Sequence, residues 1–354
     1  MEPHIVKQLE QLIKDVLDLK ANKPLKLIFS LGNTKTFSDE NVYFTPIRFT
    51  DEFILLGAIV YSEIEGKAIL NKIDGIFDLI YIDCEKKSKS STFKKGLFNL
   101  ERVGIESIKK SKLRHYKGND ITVDSLDKLI FNLLENKKKH VGGSNILIVG
   151  YGNIGFKISL RLVERGANVY VLTNNINRSS KLIESINMIK PNETKASVKL
   201  FDKKNIQLNK DLDVVILSHL STIAENSLVY NRTSEFCDFI DVGKGCLNKS
   251  QLEELNKKGN SCIRLDVGDS FLGYLIQDIN SLSNGFNKPK SKIIKDKRFI
   301  SRGLIGAKGD IVVDNINNPK IIYGICDGTG GFEKNKDLSK IYTIINEKNS
   351  SNRL

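Results

Sequence analysis

Two rhythms of apolar positions run along this chain. The stretch to about residue 21, MEPHIVKQLEQLIKDVLDLK and its flank, mixes apolar and charged positions at helical spacing, and Pro24 ends any continuation. Short strand-like runs follow: Leu25–Ser30, then alternation over Val42–Phe49 and Phe53–Tyr61, then the buried-looking Leu79–Asp83. Glu85–Ser91 is a polar loop. Helical spacing returns over residues 120–136, with Leu126, Leu129, Ile130, Leu133 and Leu134 as its stripe and Thr122 or Asp124 as its cap.

From Asn145 the pattern becomes regular. Asn145–Val149 is branched and apolar, as a strand buried on both faces should be. Ile154, Ile158, Leu162 and Val163 then recur at helical spacing, and Gly166 closes that helix. Further strands are predicted at Asn168–Leu172, Ala196–Leu200, Asp213–Ser218, Cys237–Val242 and Cys262–Val267, with a helix over Ser250–Lys258. Strands alternating with helices imply α/β architecture: a doubly wound parallel Rossmann sheet. Beyond Ser270, FLGYLIQDINSL reads as a helix, 285–298 as an exposed basic loop, and Ile311–Val313 and Lys320–Tyr323 as strands. Gly328–Gly331 reads as a turn, and the tail from Asn346 as frayed.

The expected organisation has four parts. Residues 1–120 form an N-terminal α/β substrate domain, and 121–144 a linking helix and loop. Residues 145–270 form the central Rossmann domain. Residues 271–354 form a crossing helix and a segment that returns to complete the first domain.

Between the first regular strand and its helix lies Gly150-Tyr151-Gly152-Asn153-Ile154-Gly155, a G-x-G-x-x-G turn. The first glycine permits the tight turn, the second lets backbone approach a pyrophosphate, and the third lets helix and strand pack closely. The helix N-terminus offers free N–H groups to the phosphates. In this strand–turn–helix context the motif points to a nicotinamide dinucleotide; the plain alternative is a Rossmann unit that holds none. A carboxylate at the tip of the second strand would bind the ribose 2′-OH of NAD. Here the tip reads Leu172-Thr173-Asn174-Asn175-Ile176-Asn177-Arg178, with no acid. Thr173, Asn174 and Arg178 suit a 2′-phosphate, which favours NADP over NAD; alternatively, Arg178 simply faces solvent. Ser218, Val242 and Gly243, at later strand ends, complete the predicted cofactor contacts.

Composition adds boundaries. The 354 residues are enough for two domains, with 40% hydrophobic and 27% charged residues, as in a soluble globular protein. No apolar run is long enough to span a bilayer, and the N-terminus lacks the uninterrupted apolar core of a signal peptide. Five cysteines without a C-x-x-C pair suit a reducing cytoplasm, free thiols and no metal. The net charge of +13 lies in lysine-rich spans and suits anionic substrates or cofactor phosphates. No nucleic-acid recognition motif accompanies it, so a small-molecule partner is expected, with neither nucleic acid nor membrane.

Two stretches carry a family resemblance. Asp211–Asp269, DLDVVILSHLSTIAENSLVYNRTSEFCDFIDVGKGCLNKSQLEELNKKGNSCIRLDVGD, resembles the cofactor domain of D-2-hydroxyacid dehydrogenases. Asn119–Gly155, with NDITVDSLD before ILIVGYGNIG, is similar to S-adenosylhomocysteine hydrolase. The resemblance spans residues 119–270 and implies a split catalytic domain, a Rossmann domain, a long helix between them and homodimerisation. It puts Lys244 where the dehydrogenases hold a substrate carboxylate with arginine; lysine keeps the charge and loses the fork. It matches Asp127 to the hydrolase aspartate, while the hydrolase lysine is replaced by Ser125. The dehydrogenase glutamate and proline-preceded histidine have no counterpart.

Five residues are candidates for catalysis. His219, at the carboxyl end of a strand, suits proton exchange, or simply packs near the nicotinamide. Lys244 suits an anionic group or an acid role. Asp127 faces the cleft or serves a structural network. Asp83 ends its strand at a loop, and His115 precedes the linking helix. The expected activity is a cytoplasmic NAD(P)-dependent dehydrogenase or reductase. Its rivals are a lyase or hydrolase using NAD transiently, and a cofactor-binding regulator without turnover.

Overall fold

The computed structural model describes residues 2–21, 23–34, 42–87, 98–201, 212–219, 236–283, 291–334 and 337–351. The chain divides into two compact units, Met1–Val267 and Gly268–Leu354.

The first unit holds two sheets. The N-terminal one contains β1 (Lys26–Asn33), β2 (Val42–Phe44), β3 (Arg48–Phe49), β4 (Phe53–Val60), β5 (Leu79–Asp83) and β6 (Lys112–Tyr116). Its order is β2-β4-β1-β5-β6, with β3 also on β4; β4, β1, β5 and β6 run parallel, and β2 and β3 antiparallel. β1 is buried along nearly its whole length, which explains its unbroken apolar pattern. One face packs against α1 (Pro3–Lys20), α2 (Glu63–Ile73) and α3 (Leu100–Ser107), with Leu9, Phe29, Ile69, Ile80 and Leu100 in the shared core. The sequence pattern had not marked α2, α3 or β6. Ser62 and Asn99 cap the two helices by accepting from Glu65 N and Arg102 N.

The second sheet is built from β7 (Asn145–Val149), β8 (Asn168–Leu172), β9 (Val198–Leu200), β10 (Val214–Leu217), β11 (Asp238–Asp241) and β12 (Ser261–Arg264). All six run parallel in the order β12-β11-β10-β7-β8-β9, the Rossmann order. Both faces are covered. α4 (Gly118–Asn136), α5 (Asn153–Glu164) and α6 (Ile176–Ile189) share one core with Ile146, Ile148, Val169 and Ile216. Leu147, Val215, Phe239 and Leu255 form the other. The fold class is thus as expected.

α4 begins two residues earlier than predicted and is not capped by Thr122 or Asp124. The Thr122 hydroxyl donates back to Gly118 O at 2.8 Å. The first N–H groups are taken instead by carboxylates at and just beyond the end of β5: Gly118 N donates to Asp83 Oδ1 at 3.3 Å and Asn119 N to Glu85 Oε2 at 2.7 Å.

The second unit differs from expectation in three places. Residues 291–301 form an antiparallel hairpin, Ser291–Ile294 with Lys297–Ser301, where a loop had been expected. The last strand is Ile322–Ile325, paired to Ile311–Val313, and the tail is the helix Ser339–Ser351, burying Ile341 and Ile345. These strands form a four-stranded sheet of their own; every described strand of the N-terminal sheet lies before Gly118.

Candidate functional site

The glycine turn sits where β7 meets α5. Gly150 has φ +86°, and a Cβ there would lie 3.0 Å from the Ser218 carbonyl oxygen. Gly150 N donates to Leu172 O at 2.9 Å, and the Ser218 hydroxyl donates to Gly150 O at 2.6 Å. Three strand ends thereby fix one turn. Gly152 is the N-cap of α5, and a Cβ there would meet nothing within 4 Å. Among the described residues no side chain caps this helix, and its first turn holds no acid. The backbone at Gly152, where a helix N-terminus offers its unpaired N–H donors, is thus open to close approach. At Gly155 the reason is packing: a Cβ would stand 3.0 Å from Gly150 O and 3.3 Å from Ile148 Cγ2. Tyr151 is buried between them, which pushes its phenol up to about 12, while Asn153 and Ile154 open the helix.

The β8 tip is polar and free of carboxylates. Asn175 caps α6 by accepting from Arg178 N at 3.1 Å, and Thr173 Oγ1 accepts from Asn175 N and Ser179 Oγ at 3.2 and 3.1 Å. Asn174 and Arg178 are exposed, Arg178 in the first turn of α6.

Ser218, His219, Val242 and Gly243 meet at the ends of β10 and β11. A Cβ on Gly243 would fall 1.8 Å from the His219 carbonyl oxygen, so only glycine fits. Both ring nitrogens of His219 are enclosed and, among the described residues, have no hydrogen-bond partner. Asp241 organises the next turn, accepting from Lys244 N, Gly245 N and Cys246 N at 2.8, 2.7 and 3.2 Å. Burial pushes its carboxyl up, but these N–H donors outweigh that and hold it below the usual carboxylate range. The turn puts Lys244 in the left-handed region, φ 63°, with its side chain exposed.

Asp83 lies at the carboxyl end of the N-terminal sheet, almost fully buried. It pairs with Lys87, which also approaches Glu85 Oε2 at 3.7 Å and Asn33 O at 3.4 Å. Burial, then the charges of Asp83, Cys84 and Glu85, push the Tyr116 phenol well above its usual range. His115 is half-buried in β6, beside Ile82.

Asp127 sits elsewhere. It bonds Arg165 at 2.7 Å, with Arg161 at 3.9 Å. Arg165 is the C-cap of α5, on the order of 20 Å along the helix from the glycine turn. This ion pair belongs to a row that sequence reading missed: Asp120 with Lys157, Asp124 with Arg161, and Asp127 with Arg165. The acids recur at three to four residues on α4 and the bases at four on α5, so the pattern is visible in retrospect. Lys87 and Asn33 carried no such signal. Residues 220–235, within the resembling span, lie outside the described residues.

Among the described residues no helix is long and apolar enough to cross a membrane, and no group of three or more His, Cys, Asp or Glu side chains is placed to hold a metal.

No family profile matches the chain, and no curated protein matches it. Solved structures resemble it distantly. L-tryptophan dehydrogenase from Nostoc punctiforme shares 14% identity over 73% of this chain and 75% of its own, with a TM-score of 0.40. Shikimate 5-dehydrogenase from Listeria monocytogenes shares 12% over 68% and 86%, at 0.36. A D-isomer specific 2-hydroxyacid dehydrogenase family protein from Aeromonas salmonicida subsp. salmonicida shares 11% over 73% and 96%, at 0.32.

Proposed function

We propose that this chain is an NAD(P)-dependent oxidoreductase acting on a C–O or C–N carbon of a small, polar, anionic substrate. The observation that carries the reading is the open cradle at Gly152, where an uncapped, acid-free helix N-terminus faces space that any side chain would fill. The residues present fit a dinucleotide pyrophosphate. NADP is preferred to NAD in this reading, because the β8 tip offers Thr173, Asn174 and Arg178 and no carboxylate.

When bound, the nicotinamide supplies or takes the hydride; the chain supplies position and protons. Ser218 holds the Gly150 carbonyl and so sets the turn. His219, whose ring nitrogens have no partner among the described residues, exchanges the proton at Nδ1 or Nε2. Lys244 attracts the substrate anion, and Asp83 with Lys87 forms the polar end of the N-terminal sheet.

The test is NADPH consumption over a panel of small 2-oxo acids and imines, with His219→Gln alongside. Turnover that falls at least about a hundredfold in the variant, with cofactor affinity kept, supports the assignment. Full turnover in the variant removes His219 from it. Cofactor binding without turnover on any substrate favours the regulator.

A further inference from the structure

The charge row between α4 and α5 ascends along both helices: Asp120 with Lys157, Asp124 with Arg161, Asp127 with Arg165. The two helices therefore run parallel, and their N-termini lie at the same end. Two positive helix ends side by side attract negative charge. At α4 the Asp83 and Glu85 carboxylates take the first N–H groups. At α5 the backbone at Gly152 is open and the first turn holds no acid.

The first acid of the row holds two bases. Lys117 Nζ lies 2.8 Å from Asp120 Oδ2, while Lys157 Nζ meets Oδ1. Two ammonium groups share one carboxylate, so this corner is net positive. Either lysine can leave without stranding Asp120. The pairs are part-exposed, and such a pair is worth no more than about 1 kcal/mol.

Lys157 is the lysine placed to leave. It follows Asn153, the first residue of α5, by four positions and so shares its face. Helix side chains lean towards the N-terminus, and four residues rise only about 6 Å, within reach of a lysine stem. That brings the ammonium to the level of Asn153, beside the open backbone of Gly152.

We propose that Lys157 is the cation that holds the cofactor pyrophosphate. Its ammonium exchanges the Asp120 carboxylate for a phosphate oxygen, and Asp120 keeps Lys117. The inference rests on the cofactor reading above. The test is titration of the full chain with NADPH and with NADH, followed by the fluorescence of the reduced cofactor, with the unliganded melting temperature of each variant recorded. Lys157→Met weakens both nucleotides at least about tenfold, because the pyrophosphate is common to both, whereas Arg178→Ala touches NADPH alone. Lys157→Arg keeps most of the affinity. Asp120→Asn gives the decisive sign: a lysine freed from its carboxylate binds phosphate better, so both nucleotides tighten by about threefold. A lysine that merely clamps α4 to α5 would lose affinity when either partner is removed. Parent-like affinity in Lys157→Met overturns the proposal, and so does a weakening in Asp120→Asn that matches the Lys157→Met loss. A parent saturated by neither nucleotide overturns the cofactor reading itself, and this proposal with it.

Discussion

Replacing Gly152 by valine separates the roles of the glycines. The residue has φ −97° and ψ −154°, extended backbone open to any side chain. Nothing lies within 4 Å of a Cβ at this position. Restricting the unfolded chain stabilises by about 0.4–1 kcal/mol, and losing glycine at an N-cap costs about 1 kcal/mol, so the two nearly cancel. The unliganded variant therefore melts within a few degrees of the parent. Its side chain, however, occupies the space through which a pyrophosphate reaches the α5 N–H groups. A hundredfold loss of affinity, about 2.7 kcal/mol, is the least such a block should cause. The assay is thermal unfolding with NADPH at about 100 times the parent Kd, where bound ligand adds about 2.7 kcal/mol. For a chain of this length that is a shift of roughly 3–4 °C, against about half a degree in the variant. Gly243→Ala is the contrasting case: its Cβ would meet the His219 carbonyl oxygen at 1.8 Å, so it lowers Tm without any ligand. A full NADPH shift in Gly152→Val refutes the placement of the pyrophosphate.

Three further outcomes follow from the geometry. Asp127→Ala removes the contacts to Arg165 and Arg161 on a half-exposed helix pair, costing about 0.5–1 kcal/mol in urea unfolding and leaving cofactor affinity unchanged; lost affinity would place Asp127 in the site after all. Asp241, with its carboxyl held low by three N–H donors, contributes stability that is fully present above about pH 4 and is lost as the pH falls through its lower folded value. Asp241→Asn should therefore flatten part of the acid limb of the stability profile, and an unchanged limb contradicts that. Burial pushes the Cys237 and Cys246 thiols up to about 12, so neither is alkylated in the native protein at pH 7 while both react once it unfolds; rapid native labelling of either overturns this.

The Rossmann half was legible because its signals are local. Three glycines, a strand before and a helix after define Gly150–Gly155 without distant partners. The strand ends at Ser218 and Gly243 followed from the period. What stayed hidden depends on tertiary register. α4 is capped by Asp83 and Glu85, more than thirty residues away, so Thr122 and Asp124 were misleading local candidates. Asp127 was matched by resemblance, while its carboxylate is engaged by α5. The Ser291–Ser301 hairpin reads as a basic loop because its exposed positions are largely lysine and arginine, although Phe299 and Ile300 are fully buried. The charge row between α4 and α5 appears only once the two helices lie side by side.

The central claim is that the glycine turn holds a nicotinamide dinucleotide, with its 2′-phosphate at the β8 tip. The chain has no tryptophan, so the fluorescence of the reduced cofactor can be followed directly during titration with NADPH and with NADH. Saturable one-to-one binding, with NADPH at least about tenfold tighter and the difference abolished in Arg178→Ala, is the predicted result. Saturation by neither nucleotide contradicts the account.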